Sequence, residues 1–476
     1  MKKMFLMTAL TAAMLASCSS SDDVTATAPP DGGTAAVQPV AVGFDAYTGR
    51  SVTRAGQAGD LTDTQLKYTK ANGGGFGVFA YYTDLKKYDQ TYVPNFMYNQ
   101  GVFWKGENGD ATDDVWVYSP VMYWPNEYGS NAQSDDEDKV SFFAYSPYVA
   151  TESAAAGSVD GEASWGITGF SRNTTAGDPL VKYIASFNPD ESVDLCWGVC
   201  ADADKTWNRI QGSSQTIGAG LPWLDVEHPK GITDQKLKFT FKHALAKLNV
   251  QIDADVDVTE HDGTGEGALT ASETKIYVRS ISFTGIAMQG ALNLNNSKAN
   301  EALWLDYSGS TDLSYGQSVT VKDGRRDGRE GAASADADNE LPQGLNSAIV
   351  QDTGSTTSGV TTSLQNLFAG AALTTPVYVI PTGEDMTVTI VYDVETTNQD
   401  LPGYISDGST HGLSVENRIS KTISFGTPSG LVSGKLYTLK LHLGMNSVKF
   451  NAAVSDWDTP AVEEEAWLPE TGEDNP

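Results

Sequence analysis

The sequence has few cysteines, few basic residues and few histidines, and each shortage excludes a class of protein. Three cysteines among 476 residues are too few for a disulfide framework. The 31 basic residues stand against 61 acidic ones, and the net charge of −30 repels nucleic acid and anionic lipid. The five histidines are scattered, and none lies at the spacing of a zincin motif. We therefore expect no enzyme, no catalytic residue, no cofactor, no metal site and no nucleic-acid partner.

Two of the cysteines, Cys196 and Cys200, lie in one strand candidate with three residues between them. Side chains four positions apart on a strand share a face but are about 13 Å from each other, which is too far for a disulfide unless Gly198 bends the chain. The spacing favours two buried thiols over a local disulfide. His243 lies in another strand candidate, where a packed or hydrogen-bonded structural role is favoured over a ligand role.

No apolar run at the N terminus is long enough to span a bilayer, because residues 4–15 are too few. Lys2 and Lys3 precede this run and small residues follow it, which is the layout of a secretory signal. The run ends in Leu-Ala-Ser-Cys at Cys18, the form of a bacterial lipobox. This predicts a lipoprotein signal peptide over residues 1–17 and a lipidated Cys18, whose acyl chains add about 0.8 kcal/mol of membrane affinity per buried methylene. The alternative is an ordinary signal peptide with a cysteine in its cleavage region.

What the sequence has in quantity is glycine, with 47 residues, and short alternating apolar runs that are typical of β-strands. Residues 18–39 show no apolar period and predict a flexible tether. Two series of strand candidates follow, with about seven strands in each, and they predict two β-sandwiches in tandem. The predicted domains are residues 40–230 and 236–458, joined by a linker within residues 217–234 and followed by an acidic tail, residues 459–476.

The first strand candidate, residues 40–46, precedes a predicted protease site. Four of its apolar side chains alternate and share one face, namely Val40, Val42, Phe44 and Ala46. Arg50 and Arg54 follow in a polar setting rich in Gly and Ser, which predicts an exposed segment that a trypsin-like protease can reach.

Several motifs along the chain resemble the fimbrillin family, the type V pilins and pilus-tip proteins of the Bacteroidota. They are the lipobox with its Ser-Asp run, the Arg54-Ala55 junction, and residues 140–147, 239–248, 377–381 and 454–457. The most specific of them is His-Ala-Leu-Ala-Lys-Leu at residues 243–248, and together they span nearly the whole chain.

The resemblance implies an all-β chain of two transthyretin-like β-sandwich domains, carried to the cell outer membrane as a surface-exposed lipoprotein. It also implies cleavage between Arg54 and Ala55, since this bond matches the Arg-Ala bond cut in the family, whereas Arg50 precedes a serine. The cut would remove the anchor together with the first strand, and a donor strand from another subunit would fill the groove by β-augmentation. The implied partners are other fimbrial subunits, the outer membrane through Cys18 before processing, and a host or bacterial surface glycan or protein.

The expected function is a structural subunit or tip adhesin of a surface fimbria. The alternative is a surface glycan-binding lipoprotein of tandem β-sandwich domains, which the tyrosines and tryptophans in the strands suggest, although aromatic residues in strands more often form the core. The sequence leaves open a stalk, tip or anchor role. It also leaves open whether the strand candidate at residues 448–457 is donated to another subunit or folds back on its own chain.

Overall fold

The structure is a computed structural model, and it describes the greater part of the chain between Val40 and Trp467. The described residues are 40–48, 62–68, 74–105, 115–125, 138–150, 165–200, 220–227, 236–254, 275–296, 301–311, 313, 319–321, 365–368, 376–396, 404–406, 412–423, 430–444, 448–456 and 466–467. Within these ranges the chain is almost entirely β-strand, with one short helix, α1 (Asp63–Leu66), and one 3-10 turn, Pro189–Glu191. None of the helical residues described here forms a segment long and apolar enough to cross a membrane. The predicted all-β class is confirmed.

The first half of the chain contributes ten strands to the described structure. They are β1 (Gly43–Thr48), β2 (Phe76–Asp84), β3 (Met97–Trp104), β4 (Trp116–Val117), β5 (Lys139–Ser146), β6 (Gly166–Phe170), β7 (Leu180–Ile184), β8 (Cys196–Val199), β9 (Trp223–Glu227) and β10 (Lys236–His243).

The second half contributes fourteen more strands within the described residues. They are β11 (Ala246–Ala254), β12 (Lys275–Thr284), β13 (Ile286–Ala287), β14 (Gln289–Asn293), β15 (Leu303–Leu305), β16 (Val319–Val321), β17 (Gln365–Asn366), β18 (Val377–Pro381), β19 (Met386–Thr396), β20 (Tyr404–Ser406), β21 (Gly412–Ile423), β22 (Lys435–Leu443), β23 (Val448–Asp456) and β24 (Ala466–Trp467).

Two sheets build the first sandwich. The first sheet has the order β1-β10-β8-β5-β2-β3-β4, with β9 paired to β5, and the second sheet has the order β15-β14-β7-β6. One face of the first sheet packs on the second sheet through large aromatic side chains such as Phe143, Tyr183 and Trp304. The opposite face of the first sheet holds a separate core that includes Phe44, Phe76 and Phe239. The central strands of the first sheet are thus buried on both faces, which explains why β2 and β5 are apolar at successive positions.

Two further sheets build the second sandwich. The third sheet has the order β13-β18-β11-β22-β23-β24, with β17 paired to β11, and the fourth has the order β16-β12-β19-β21-β20. Their facing side chains form one aliphatic core, in which alternate residues of β11 and β22 point inward, for example Leu248, Val250 and Leu439. The period of two along these strands is the pattern expected of a sheet with one face in the core.

Strand pairing crosses the predicted domain boundary at two strands. β10 was placed in the second domain by the sequence, but it pairs with β1 and β8 in the first sheet. β14 pairs with β7, so residues 289–293 complete the second sheet. The predicted linker at 217–234 contains a strand, β9, which pairs with β5 and buries Trp223. A boundary between residues 230 and 236 therefore does not separate the sheets, and the division into 40–230 and 236–458 stays a prediction.

The two sandwiches share a strand at their junction. Val377 and Val379 of β18 pack into the core of the second sandwich, whereas Tyr378 and Ile380 of the same strand pack into the aromatic core of the first. The backbone N–H of Tyr378 also donates to Ser192 Oγ at 2.9 Å. Because β18 is buried on both faces, the cores of the two halves meet along it.

Candidate functional site: the first strand and its groove

The first strand lies at the end of the first sheet and pairs in parallel with β10. The register runs without interruption from Gly43 opposite Lys236 to Thr48 opposite Phe241. Side chains alternate between the core and the outer face, and Val42, Phe44 and Ala46 are buried as the sequence predicts. Val40 packs against the same core. The predicted strand and its apolar face are therefore confirmed, although the strand begins three residues later and ends two residues later than the predicted range 40–46.

Phe44 occupies an aromatic pocket in the core beneath this strand. Its ring centroid lies 5.4 Å from that of Tyr118 and 6.1 Å from that of Phe76. The rings of Phe142 and Phe239 lie at 6.2 and 6.3 Å. Rings at these separations gain about 0.5–1.5 kcal/mol per pair beyond the burial of their area. We call this pocket, with the edge of β10 beside it, the groove.

The residues just before β1 close the other side of the groove. The N–H of Val42 donates to the carbonyl of Met122, and the N–H of Trp124 donates to the carbonyl of Val40, both at 2.9 Å. The Tyr118 hydroxyl donates to the Val42 carbonyl at 2.7 Å, and burial raises the pKa of Tyr118 to about 12. The segment 40–48 is therefore held on two sides, by β10 and by residues 122–124, and the two ends of the first sheet meet there.

The far end of β1 is tied to the helix that follows it in sequence. The backbone N–H and the hydroxyl of Thr48 both donate to Asp63 Oδ1, at 2.6 and 2.9 Å. Asp63 is the first residue of α1, which begins with a capping box between Thr62 and Gln65. Such a box fixes the first turn by satisfying backbone N–H groups that have no helical partner. The helix therefore gives Thr48 a rigid acceptor on the body of the protein.

The residues predicted to carry processing and lipidation lie outside the described residues. Cys18 precedes residue 40, and Arg54 and Ala55 lie between β1 and α1, within 49–61. The predictions for these three residues stay predictions. The structure shows which elements flank the predicted cut. The strand β1 ends at Thr48 before it, and the helix α1 begins at Asp63 after it.

A second group of polar side chains lies where β8 begins and β10 ends. Nδ1 of His243 is 2.8 Å from Asp194 Oδ2, and the Cys196 thiol sulfur is 3.5 Å from that nitrogen and 3.7 Å from that oxygen. Burial, with the nearby Asp194 carboxylate, raises the pKa of Cys196 to about 12. Cys196 and Cys200 are both buried and free, which confirms two buried thiols over a local disulfide.

The contacts of His243 confirm that it is hydrogen-bonded, but no local sequence pattern predicts which residues surround it. His243 and Cys196 are 47 residues apart, and they meet because they are opposite one another in the β8–β10 register. Knowledge of that register is the only signal that would have brought them together in advance, since neither residue belongs to a spaced motif.

The C-terminal strand folds back on its own chain. β23 pairs antiparallel with β22 from Lys435 opposite Asp456 to Leu443 opposite Val448, and β24 adds two more pairs on its outer side. β22 in turn runs parallel to β11, from Lys247 opposite Leu436 onward. The last long strand is therefore an internal part of the third sheet.

Most tryptophans and tyrosines in the described strands form core and not surface. Trp124, Trp223, Tyr81, Tyr145 and Tyr183 are among the largest fully buried side chains. The core interpretation of the aromatic residues is confirmed for these positions. The exposed large aromatics among the described residues are Tyr68, Tyr123 and Trp165.

The sequence is similar to a curated fimbrial protein over part of its length. Fimbrium subunit Fim1C of Phocaeicola vulgatus is 36% identical to the chain over 110 residues, which are 22% of this chain and 23% of that protein. The resemblance to fimbrial subunits is confirmed. The chain spans about a quarter of the length of this relative. A scan against models of known protein families finds no match.

Solved structures of fimbrial proteins align with nearly the whole chain at low identity. A fimbrial protein from Bacteroides vulgatus covers 88% of this chain and 99% of its own, with 19% identity and a TM-score of 0.47. The tip fimbrial protein Mfa3 from Porphyromonas gingivalis, truncated at its C terminus, covers 88% and 100%, with 9% identity and a TM-score of 0.29. Both TM-scores are below 0.5, and the fold described above rests on the strand pairing alone.

Proposed function

We propose that the chain is a structural subunit or tip adhesin of a surface fimbria and that it assembles by donor-strand exchange. In this proposal Cys18 anchors the subunit to the outer membrane, and cleavage after Arg54 frees the body from the anchor. The observation that carries the proposal is the placement of the first strand. Residues 40–48 fill a groove of the first sheet and precede the cut, whereas every other strand of that sheet follows it.

Cleavage after Arg54 would leave the first strand attached by non-covalent contacts alone. Those contacts include the ladder to β10, the two hydrogen bonds with residues 122–124, the Tyr118–Val42 hydrogen bond, the Thr48–Asp63 link and the buried face. Burial of a side chain such as Val42 or Phe44 contributes about 1.5–3 kcal/mol each. A vacated groove would expose this apolar surface and a row of unpaired backbone groups on β10, which favours capture of another strand.

The test is the Arg54→Ala variant, produced in the bacterium that makes the protein. Wild-type subunits in the assembled fibre should begin at Ala55, and Arg54→Ala subunits should keep Cys18 and stay out of the fibre. The matched control is Arg50→Ala, because Arg50 lies in the same polar segment but precedes a serine. N-terminal sequencing and immunoblots of sheared fibres measure both results. Assembly of Arg54→Ala at the wild-type level, or a block caused by Arg50→Ala instead, would refute the proposal.

The folded-back position of β23 bears on which subunit this is. The family resemblance leaves two arrangements, in which a stalk subunit donates its terminal strands and a tip or anchor subunit folds them back. β23 pairs with β22 over nine residue pairs, so its folded-back position supports a tip or anchor role within the proposal. In fibres labelled with antibody against this subunit, a tip or anchor subunit gives label at fibre ends, and a stalk subunit gives label along the length.

The alternative proposal, a permanently anchored glycan-binding lipoprotein, needs exposed aromatic rings. Tyr68, Tyr123 and Trp165 are the exposed large aromatics among the described residues. If the chain binds surface polysaccharide through them, replacement of all three by Ala should abolish its retardation in native gels that contain the polysaccharide. The same variant should still be cut at Arg54 if the fimbrial proposal holds, so the two proposals are tested separately.

A further inference from the structure

We propose that Asp194, Cys196 and His243 form a binding site for a divalent transition metal of the zinc class. The site is independent of the fimbrial proposal, because it depends only on the pairing of β8 with β10. Each residue offers a different ligand atom, a carboxylate oxygen, a thiolate sulfur and an imidazole nitrogen, and the three atoms lie within 4.8 Å of one another.

The spacing of these atoms is close to that of a tetrahedral zinc site. With zinc bonds of about 2.3 Å to sulfur and about 2.0–2.1 Å to nitrogen and oxygen, tetrahedral ligand atoms lie roughly 3.3–3.6 Å apart. The Cys196 sulfur is 3.5 Å from His243 Nδ1 and 3.7 Å from Asp194 Oδ2. The Nδ1 to Oδ2 distance is 2.8 Å and would lengthen by about half an ångström. The changes in distance that a tetrahedral site requires are therefore about half an ångström or less.

The ligand set selects the class of metal. A thiolate and an imidazole are ligands for zinc, copper or iron and poor ligands for calcium or magnesium, which take oxygen. Binding releases the thiol proton of Cys196 to solvent and requires His243 to carry its ring proton on Nε2. The thiolate and the carboxylate then neutralise the two charges of the metal, so no net charge is buried. Three protein ligands leave a fourth position for water.

The three ligands differ in their exposure to solvent. The Asp194 side chain is 1% exposed, Cys196 is fully buried and the His243 side chain is 12% exposed, so the imidazole is the ligand nearest to solvent. Cys196 is the first residue of β8 and His243 the last of β10, and they are a register pair. A bound metal would therefore cross-link the strand that borders the groove, β10, to its other neighbour in the first sheet.

The test is metal binding to the full chain that carries the Cys18→Ser substitution. This substitution leaves Cys196 and Cys200 as the two thiols of the protein. After treatment with EDTA, the protein is titrated with Co²⁺ and Zn²⁺ separately. We expect one Co²⁺ per chain with a thiolate-to-cobalt charge-transfer band in the near ultraviolet, displaced by an equivalent of Zn²⁺. Zn²⁺ should also raise the midpoint of thermal unfolding.

Variants of the ligands and of a neighbouring thiol locate the site. Cys196→Ser should abolish the charge-transfer band, and His243→Gln should weaken Zn²⁺ binding by about 100-fold or more, since loss of even a supporting residue costs 10–100-fold. Cys200→Ser is the matched control, because Cys200 is a buried thiol of the same segment outside the cluster. Circular dichroism in EDTA establishes that each variant folds. An absent band in the folded parent, or an equal loss in Cys200→Ser, would show that the cluster is a hydrogen-bonded group and nothing more.

Discussion

Phe44 shows how a single side chain can fix a strand in its groove. It is 2% exposed, and its ring meets four other rings that come from separate parts of the first sheet and its connections. The other buried side chains of residues 40–48, namely Val42, Ala46 and Thr48, are smaller and fill less of the core. The register of the first strand therefore depends on Phe44 more than on any other residue of that strand.

Phe44→Ala should lower the free energy of unfolding of the first sandwich by about 3–5 kcal/mol, because it removes a buried aromatic ring and leaves a cavity. Urea unfolding followed by tryptophan fluorescence measures the change. Leu85→Ala is the control, since Leu85 is an exposed apolar residue in the turn after β2, and it should change the free energy by no more than about 0.5 kcal/mol. Equal effects of the two substitutions would mean that the first strand is not anchored by its aromatic ring.

At the scale of the strand, the two halves of the chain repeat one arrangement. In the first sheet the opening strand, β1, runs parallel to the late strand β10, and in the third sheet β11 runs parallel to the late strand β22. The difference lies in the connections. β1 is followed by 49–61, which contains Arg54, whereas β10 continues into β11 through Ala244 and Leu245 alone. One cut within 49–61 would separate β1 from the body, whereas β11 is joined directly to β10.

β22 has its outer edge covered by β23, and this pairing can be tested by truncation. Deletion of residues 448–476 should expose the edge of β22 over nine residue pairs, and unpaired strand edges promote association between chains. Size-exclusion chromatography with light scattering should therefore show dimers or larger species. Deletion of residues 468–476 alone removes nothing that pairs with β22 or β23 in the described structure, and that chain should elute as the parent does.

Elements with a clear alternating pattern could be predicted from the sequence, and elements defined by long-range pairing could not. The face of β1, the long strands β19 and β22, and the buried thiols follow from local patterns. The short strands β6, β9 and β15 show little alternation of apolar and polar residues. The prolines at 222 and 229 predict a linker where the structure has β9. The break between β10 and β11 falls at Ala244-Leu245, where no Gly, Pro or Asn marks a turn. The Asp194–His243 contact exists only because two distant strands pair.

At the scale of the whole molecule, the charge of −30 would oppose the proposed assembly of subunits with one another. Repulsion between like-charged bodies slows their encounter, and salt screens it, since the Debye length falls from about 30 Å at 0.01 M to about 8 Å at 0.15 M. We therefore expect cut subunits to assemble faster as ionic strength rises over this range, as measured by light scattering.

A peptide with the sequence of residues 40–48 provides the control for this salt effect. Its nine residues carry one acidic side chain and no basic one, so its attraction to or repulsion from the body is weak. Its rate of capture by the vacated groove should change little over the same range of salt. A salt dependence as large for the peptide as for whole subunits would mean that charge acts within the groove and not between the bodies.

The parallel pairing of β1 with β10 also has a mechanical meaning. In the proposed anchored form, tension between the membrane and the body would enter the described strand at Val40, and the component of this tension along β1 would load its pairing with β10. The paired positions from Gly43 to Thr48 then carry this load together in shear, whereas a strand peeled from one end would lose its hydrogen bonds one at a time. Under the proposal, a subunit that is still tethered would withstand flow across the cell surface, and its release would require proteolysis and not pulling.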